Sequence, residues 1–188
     1  MRQIPKSSVV LVAGILLATV TASSAQSPYG IGRTATPAEI AGWNTDVEPD
    51  GRGLPLASGS VSHGHEVYQN QCAACHGDDG QGGVGDRLVG GQGTLATSKP
   101  IRTVGSYWPY APPLFDYIRR AMPQNAPGSL SNEDVYAVSA YILHLNGLLP
   151  ADAVLDAKTM TAIKMPNRKR FVDDARPDVK TSACMSGC

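Results

Sequence analysis

The chain of 188 residues has little aromatic material, with two Phe, two Trp and seven Tyr, and it has only four cysteines. Twenty glycines and fourteen prolines interrupt it. A chain so composed builds only a small apolar core by itself, which predicts that another group helps to fill the interior. Positive charge is not in excess, because 16 Lys and Arg face 16 Asp and Glu. That balance gives no overall basic surplus of the kind that nucleic-acid binding requires. No second Cys-x-x-Cys is present, so a zinc site with four matched ligands has no candidates. No segment alternates in the manner of a strand and no internal repeat occurs, which leaves an all-α domain as the expected class. Past residue 20 no apolar run approaches the ~20 residues that span a bilayer.

The N-terminus carries its own pattern. Arg2 and Lys6 precede an apolar run from Val9 to Val20, and Ala22-Ser23-Ser24-Ala25 supplies small residues before Gln26. These three parts predict a cleaved export signal over residues 1–25 and a periplasmic location. Its removal leaves 14 basic and 16 acidic residues, a net charge of −2. Residues 26–58 read as an irregular arm with one short helix start, where Thr36 caps, Pro37 opens and Glu39 closes a capping box. Trp43 is the expected anchor of that arm. Residues 59–149 read as the folded domain. Val61, Gly64, Val67, Tyr68 and Gln71 share one helical face behind a capping Ser60 or Ser62. Residues 77–93 are too glycine-rich for a regular element. Pro112-Pro113 opens a second helix that Pro123 limits. Ser131 caps a third, with Glu133 and Asp134 in its first turn and Asn146-Gly147 at its end. Residues 150–188 read as a tail with a short helix near 156–163, a basic cluster Arg168-Lys169-Arg170, and a final pair, Cys184 and Cys188. In an oxidising compartment that pair is expected to form a disulfide.

The chemistry concentrates at Cys72-Ala-Ala-Cys75-His76. A redox disulfide motif needs no adjoining histidine, and zinc lacks further ligands. Covalent haem c attachment needs all three residues: two thioethers fix the porphyrin edge on one helical turn, and His76 then turns its imidazole under the iron. One motif implies one haem. A porphyrin also supplies the apolar area that the chain lacks, at ~25 cal/mol per Å2 buried. For the second axial position Met122 is the leading candidate, since it ends a helix and precedes Pro123; His/Met ligation is the usual electron-transfer pair. Met165, before Pro166, is the runner-up. Tyr107, Trp108 and Tyr110 are candidate pocket walls, and Arg102, Arg119 and Arg120 are candidate propionate partners.

Gly64-x3-Tyr68-x3-Cys72-x2-Cys75-His76 and Val138-x-Ala140-Tyr141-Ile142-x2-Leu145-Asn146 resemble the first and last helices of class I cytochromes c. The resemblance implies that these two helices cross at Gly64, with Tyr68 and Tyr141 packed beside the crossing. Members often carry a proline beyond the haem motif whose carbonyl orients the histidine. The stretch Gly85 to Gly90 has no proline, so the sequence names no acceptor for the outer nitrogen of His76. A narrower resemblance runs through Ser27-Pro28-Tyr29-Gly30-Ile31-Gly32-Arg33, Gly105-Ser106-Tyr107-Trp108-Pro109-Tyr110-Ala111 and Phe115-Asp116-Tyr117-Ile118-Arg119-Arg120-Ala121-Met122-Pro123. These look like the cytochrome subunit of the Sox sulfane dehydrogenase, to which periplasmic sulfite dehydrogenase cytochromes are related. That resemblance implies no catalysis by this chain alone. It implies a molybdenum-cofactor subunit as electron donor and a further cytochrome as acceptor. A free-standing shuttle for another dehydrogenase is the competing expectation; a haem enzyme or gas sensor would need an open sixth position.

Overall fold

A computed structural model of the protein describes Tyr29 and residues 31–173. The expected signal segment and the Cys184/Cys188 pair lie outside these residues. The chain divides into two units, Met1–Trp43 and Asn44–Cys188. In the first, α1 (Pro37–Trp43) buries no residue of its own. It starts as its sequence requires: the Glu39 amide donates to Thr36 Oγ1 (3.3 Å) and Glu39 Oε2 accepts from the Thr36 amide (2.8 Å). Trp43 is exposed.

The second unit contains β1 (Ser58–Ser60), α2 (Val61–Gln71), α3 (Ala73–His76), α4 (Pro112–Ala121), α5 (Asn132–Leu145), β2 (Val154–Asp156) and α6 (Ala157–Ala162). Caps set the helix starts. Ser60 accepts from the His63 amide (3.1 Å), and Ser131 accepts from the Asp134 amide (3.1 Å). Asp156 and Thr159 form a capping box at α6. Asn146 ends α5, and Gly147 follows at φ +71°, a left-handed conformation that glycine adopts without strain.

α5 is the central element. Val135 to Leu143 are all buried. α2 crosses it at Gly64, where a Cβ would lie 1.9 Å from the Ala137 carbonyl oxygen. Gly59 meets the same residue, with a would-be Cβ 2.2 Å from the Ala137 amide nitrogen. Tyr68 and Tyr141 pack beside the crossing at 5.3 Å between ring centroids. Two backbones therefore approach α5 at one alanine, and any side chain at either glycine would part them.

Two features depart from the sequence reading. A short antiparallel pair is present: Ser58, Gly59 and Ser60 face Asp156, Leu155 and Val154. Three residues per strand are too few to show alternation, so the pairing leaves no pattern in the sequence. Packing also extends beyond residues 59–149. Leu155, Met160 and Met165 are buried in the core, and Val47 is buried on the other flank. Arg120 pairs with Asp46 (2.8 Å), Arg119 donates to the Thr45 carbonyl, and the Tyr136 hydroxyl donates to the Pro55 carbonyl (3.0 Å). No helix of the described residues is long and apolar enough to cross a membrane.

Candidate haem-binding site

The attachment turn is built from α2 onward. α2 ends at Gln71; Cys72 then precedes the single turn of α3. The amides of Cys75 and His76 both donate to the Cys72 carbonyl, at 3.1 and 3.0 Å. Cys72 and Cys75 are free thiols. Burial, with a smaller contribution from Cys75, pushes the Cys72 thiol up to about 11. Cys72 packs against the core, as do Leu88, Trp108 and Met122.

The carbonyls at the C-terminal end of such a turn have no partners within the helix. The glycine loop that follows supplies them. The Gly82 amide donates to the His76 carbonyl (2.7 Å) and the Gly85 amide to the Cys75 carbonyl (2.8 Å). Close approach requires the missing side chains: a Cβ on Gly83 would lie 2.9 Å from the Cys75 carbonyl oxygen. The Tyr68 hydroxyl reaches from α2 to the Gly77 carbonyl (2.8 Å), and burial raises its pKa.

His76 Nδ1 donates to the carbonyl of Asp86 (2.6 Å). The carbonyl for which the sequence named no residue is thus that of Asp86, at the end of the glycine loop. This bond places the ring proton on Nδ1 and leaves Nε2 with a free lone pair, the form in which imidazole binds a metal. Gly85 makes the arrangement possible, because a Cβ there would lie 2.9 Å from His76 Cε1 and 3.0 Å from Nδ1. Two free thiols on one turn, an oriented Nε2 and a loop that leaves no room for a side chain at Gly83 or Gly85 fit a covalently held haem.

The remaining candidates are placed as follows. Met122 donates its amide to the Ile118 carbonyl (3.0 Å) and then leaves α4 in an extended conformation, half-buried against the core. Met165 is buried, at 3% exposure. Trp108 packs edge-on against Tyr117 (6.0 Å), and Tyr107 packs edge-on against Phe171 (5.6 Å). Arg102 lies over the Tyr107 ring (5.6 Å) and Arg168 over the Tyr110 ring (4.8 Å). Arg119 and Arg120 are engaged by Thr45, Asp46 and Asp116. The His144 Nδ1 donates to the Leu149 carbonyl (2.9 Å). Sequence reasoning missed Asp86, Gly85 and the Tyr68 hydroxyl; the glycine density of residues 77–93 was the only signal for the first two.

Comparison with known proteins agrees with this geometry. A chain in the solved structure of the sulfane dehydrogenase SoxCD of Paracoccus pantotrophus has 41% sequence identity to this one, matched over 85% of this chain and 81% of that one, at a TM-score of 0.75. The chain belongs to the cytochrome c family. The family model for the cbb3-type cytochrome c oxidase subunit III matches residues 59–142 of this cytochrome, the segment from β1 through most of α5. A curated thiosulfate dehydrogenase of Stutzerimonas stutzeri (strain A1501) is 32% identical over 90 residues, which are 47% of this cytochrome and 28% of that protein. The cytochrome thus spans well under a third of that relative's length. Family membership implies a covalently bound haem c.

Proposed function

We propose that this cytochrome is the electron-transfer subunit of an exported sulfur-compound dehydrogenase, paired with a molybdenum-cofactor subunit and delivering electrons to a further cytochrome in the periplasm. The supporting observation is the 41% identity over 85% of the chain to a chain of the sulfane dehydrogenase, in a protein whose His76 Nδ1 donates to the Asp86 carbonyl and leaves Nε2 free. A bound haem c supplies one-electron chemistry at iron. The protein's part is positional. Cys72 and Cys75 would hold the porphyrin edge by thioethers, His76 would offer Nε2 to the iron, and the Asp86 carbonyl keeps that ring from turning. Met122 would offer its thioether to the iron, and Tyr107, Trp108 and Arg102 would border the haem. Electron transfer asks for little movement of ligands, and a closed hydrogen-bonded loop around the motif provides that rigidity. The chain performs no substrate chemistry alone.

The test is an absorption spectrum of the exported protein, oxidised and reduced, together with Met122→Ala, and a molybdenum assay of the complex that co-purifies with it. The expected result is a sulfur-to-iron charge-transfer band that Met122→Ala abolishes, and molybdenum in the complex. A high-spin wild type would refute the ligand set. A low-spin cytochrome that purifies without molybdenum would favour a free-standing shuttle.

A further inference from the structure

The charges of this chain are divided by segment. Residues 87–115 and 157–172 carry eight Lys and Arg and no Asp or Glu. The other described residues carry four Lys and Arg against fourteen Asp and Glu, a net of −10. A net charge near zero therefore hides two regions of opposite sign. The fold joins the two basic segments, which are separated by more than forty residues in sequence. Asn167 Nδ2 donates to the Tyr107 carbonyl (2.6 Å), Phe171 packs on the Tyr107 ring, and Arg168 stacks on Tyr110. Arg102 lies over the same Tyr107. Arg102, Arg168, Lys169 and Arg170 are exposed. No carboxylate of the described residues lies within the 4.0 Å of an ion pair from any of them. Cations elsewhere are engaged by other groups: Arg33, Arg52 and Arg120 each pair with a carboxylate, and Arg119 donates to a carbonyl and lies over the Phe115 ring.

We propose that the surface formed by Tyr107 and Tyr110 with Arg102 and Arg168–Arg170 is the docking face for an acidic protein, the redox partner with which this cytochrome exchanges electrons. The proposal rests on the electron-transfer reading. Two arguments on the structure carry it. Apart from Arg119, which donates to a carbonyl, the cations with no carboxylate partner among the described residues are collected on two contacting segments. Two of the guanidinium groups also lie over aromatic rings, which limits the side-chain entropy that binding would cost. Complementary charge accelerates encounter tenfold to a thousandfold at low salt and loses that advantage as salt screens it. The basic segment 87–115 begins at Arg87, directly after the residue whose carbonyl accepts from His76 Nδ1.

The probe is flavodoxin, an acidic redox protein. Its flavin hydroquinone gives up one electron and becomes the semiquinone, and ferric haem becomes ferrous. Holo-cytochrome is tested for retention on immobilised oxidised flavodoxin and for its rate of reduction by the hydroquinone, across a series of salt concentrations. The variants are Arg168→Glu/Lys169→Glu/Arg170→Glu on the proposed face and Glu66→Lys as the reversal on the acidic remainder. The expected result is retention that salt abolishes, a low-salt rate about tenfold lower in the triple variant, and convergence with wild type at high salt. Glu66→Lys should not lower the rate. Equal rates and retention in wild type and the triple variant would overturn the proposal. So would an equal loss in Glu66→Lys, or binding of wild type to phosphatidylglycerol vesicles without retention on flavodoxin. Failure of the electron-transfer reading is distinguishable, because it would appear as a haem that dithionite fails to reduce reversibly.

Discussion

Gly85→Ala tests how the site is built. The added Cβ would lie 2.9 Å from His76 Cε1 and 3.0 Å from Nδ1, inside any normal carbon contact. Either the ring turns away or the loop retreats, and both lengthen the 2.6 Å bond from Nδ1 to the Asp86 carbonyl. The retreat would also pull on the Gly85 amide, which donates to the Cys75 carbonyl. Loss of one such bond with its acceptor left buried costs about 1–3 kcal/mol. On the proposed ligation, the Nδ1 bond would also make the imidazole a better donor to iron, which favours the ferric state. If about 1 kcal/mol of that effect is differential between the two iron states, the reduction potential rises by about 40 mV, since a one-electron couple moves 59 mV per tenfold change. The assay is a spectroscopic redox titration with a denaturant unfolding curve on the same sample. Gly128→Ala is the control: its φ of +74° penalises a side chain, yet a Cβ there meets nothing within 4 Å. That control should lose stability, by about 1–2 kcal/mol for a left-handed residue, and keep its potential. A Gly85→Ala protein with wild-type potential and stability would refute the reasoning.

Other substitutions probe separate links. Met122→Ala should lose the sulfur-to-iron band, whereas Met165→Ala should keep it and lose about 2–5 kcal/mol in chemical denaturation, because Met165 is buried in the core. Gly64→Ala should be among the most damaging changes in the chain: a Cβ 1.9 Å from the Ala137 carbonyl cannot be relieved by a rotamer, so the loss should reach or exceed the roughly 1–3 kcal/mol of ordinary overpacking, measured by thermal unfolding. Burial pushes the Asp134 carboxyl up, but bonds from Ser131 and from His63 Nε2 (2.7 Å) outweigh it and hold the group below its ordinary value. The folded pKa is therefore below the unfolded one. The contribution is present above the unfolded value near 3.8 and is lost as pH falls through the folded value. Asp134→Asn should flatten that acid limb of the stability curve, by less than about 1 kcal/mol for a pair this open to solvent.

Most helices were legible because their signals are local. Thr36, Ser60 and Ser131 cap where the sequence places them, Pro112 and Pro113 open α4, and Asn146-Gly147 closes α5. The haem motif was legible for the same reason, since both thiols and His76 belong to one turn whose spacing is set by helix geometry. The β1–β2 pair was not, since three-residue strands carry no periodicity and their pairing spans almost a hundred residues. The acceptor for His76 was not either. Any residue offers a carbonyl, so Asp86 is distinguished only by where the loop returns it.

The sequence by itself determined that this chain is a single-haem cytochrome, because covalent attachment depends on residue types at fixed short spacing. It also determined the division of charge, although not that the two basic segments meet. Tertiary structure alone decided which carbonyl orients His76, that Leu155, Met160 and Met165 belong to the core, and that Arg168 lies on Tyr110. Each of these depends on where the folded backbone brings residues together, which no local spacing in the sequence specifies.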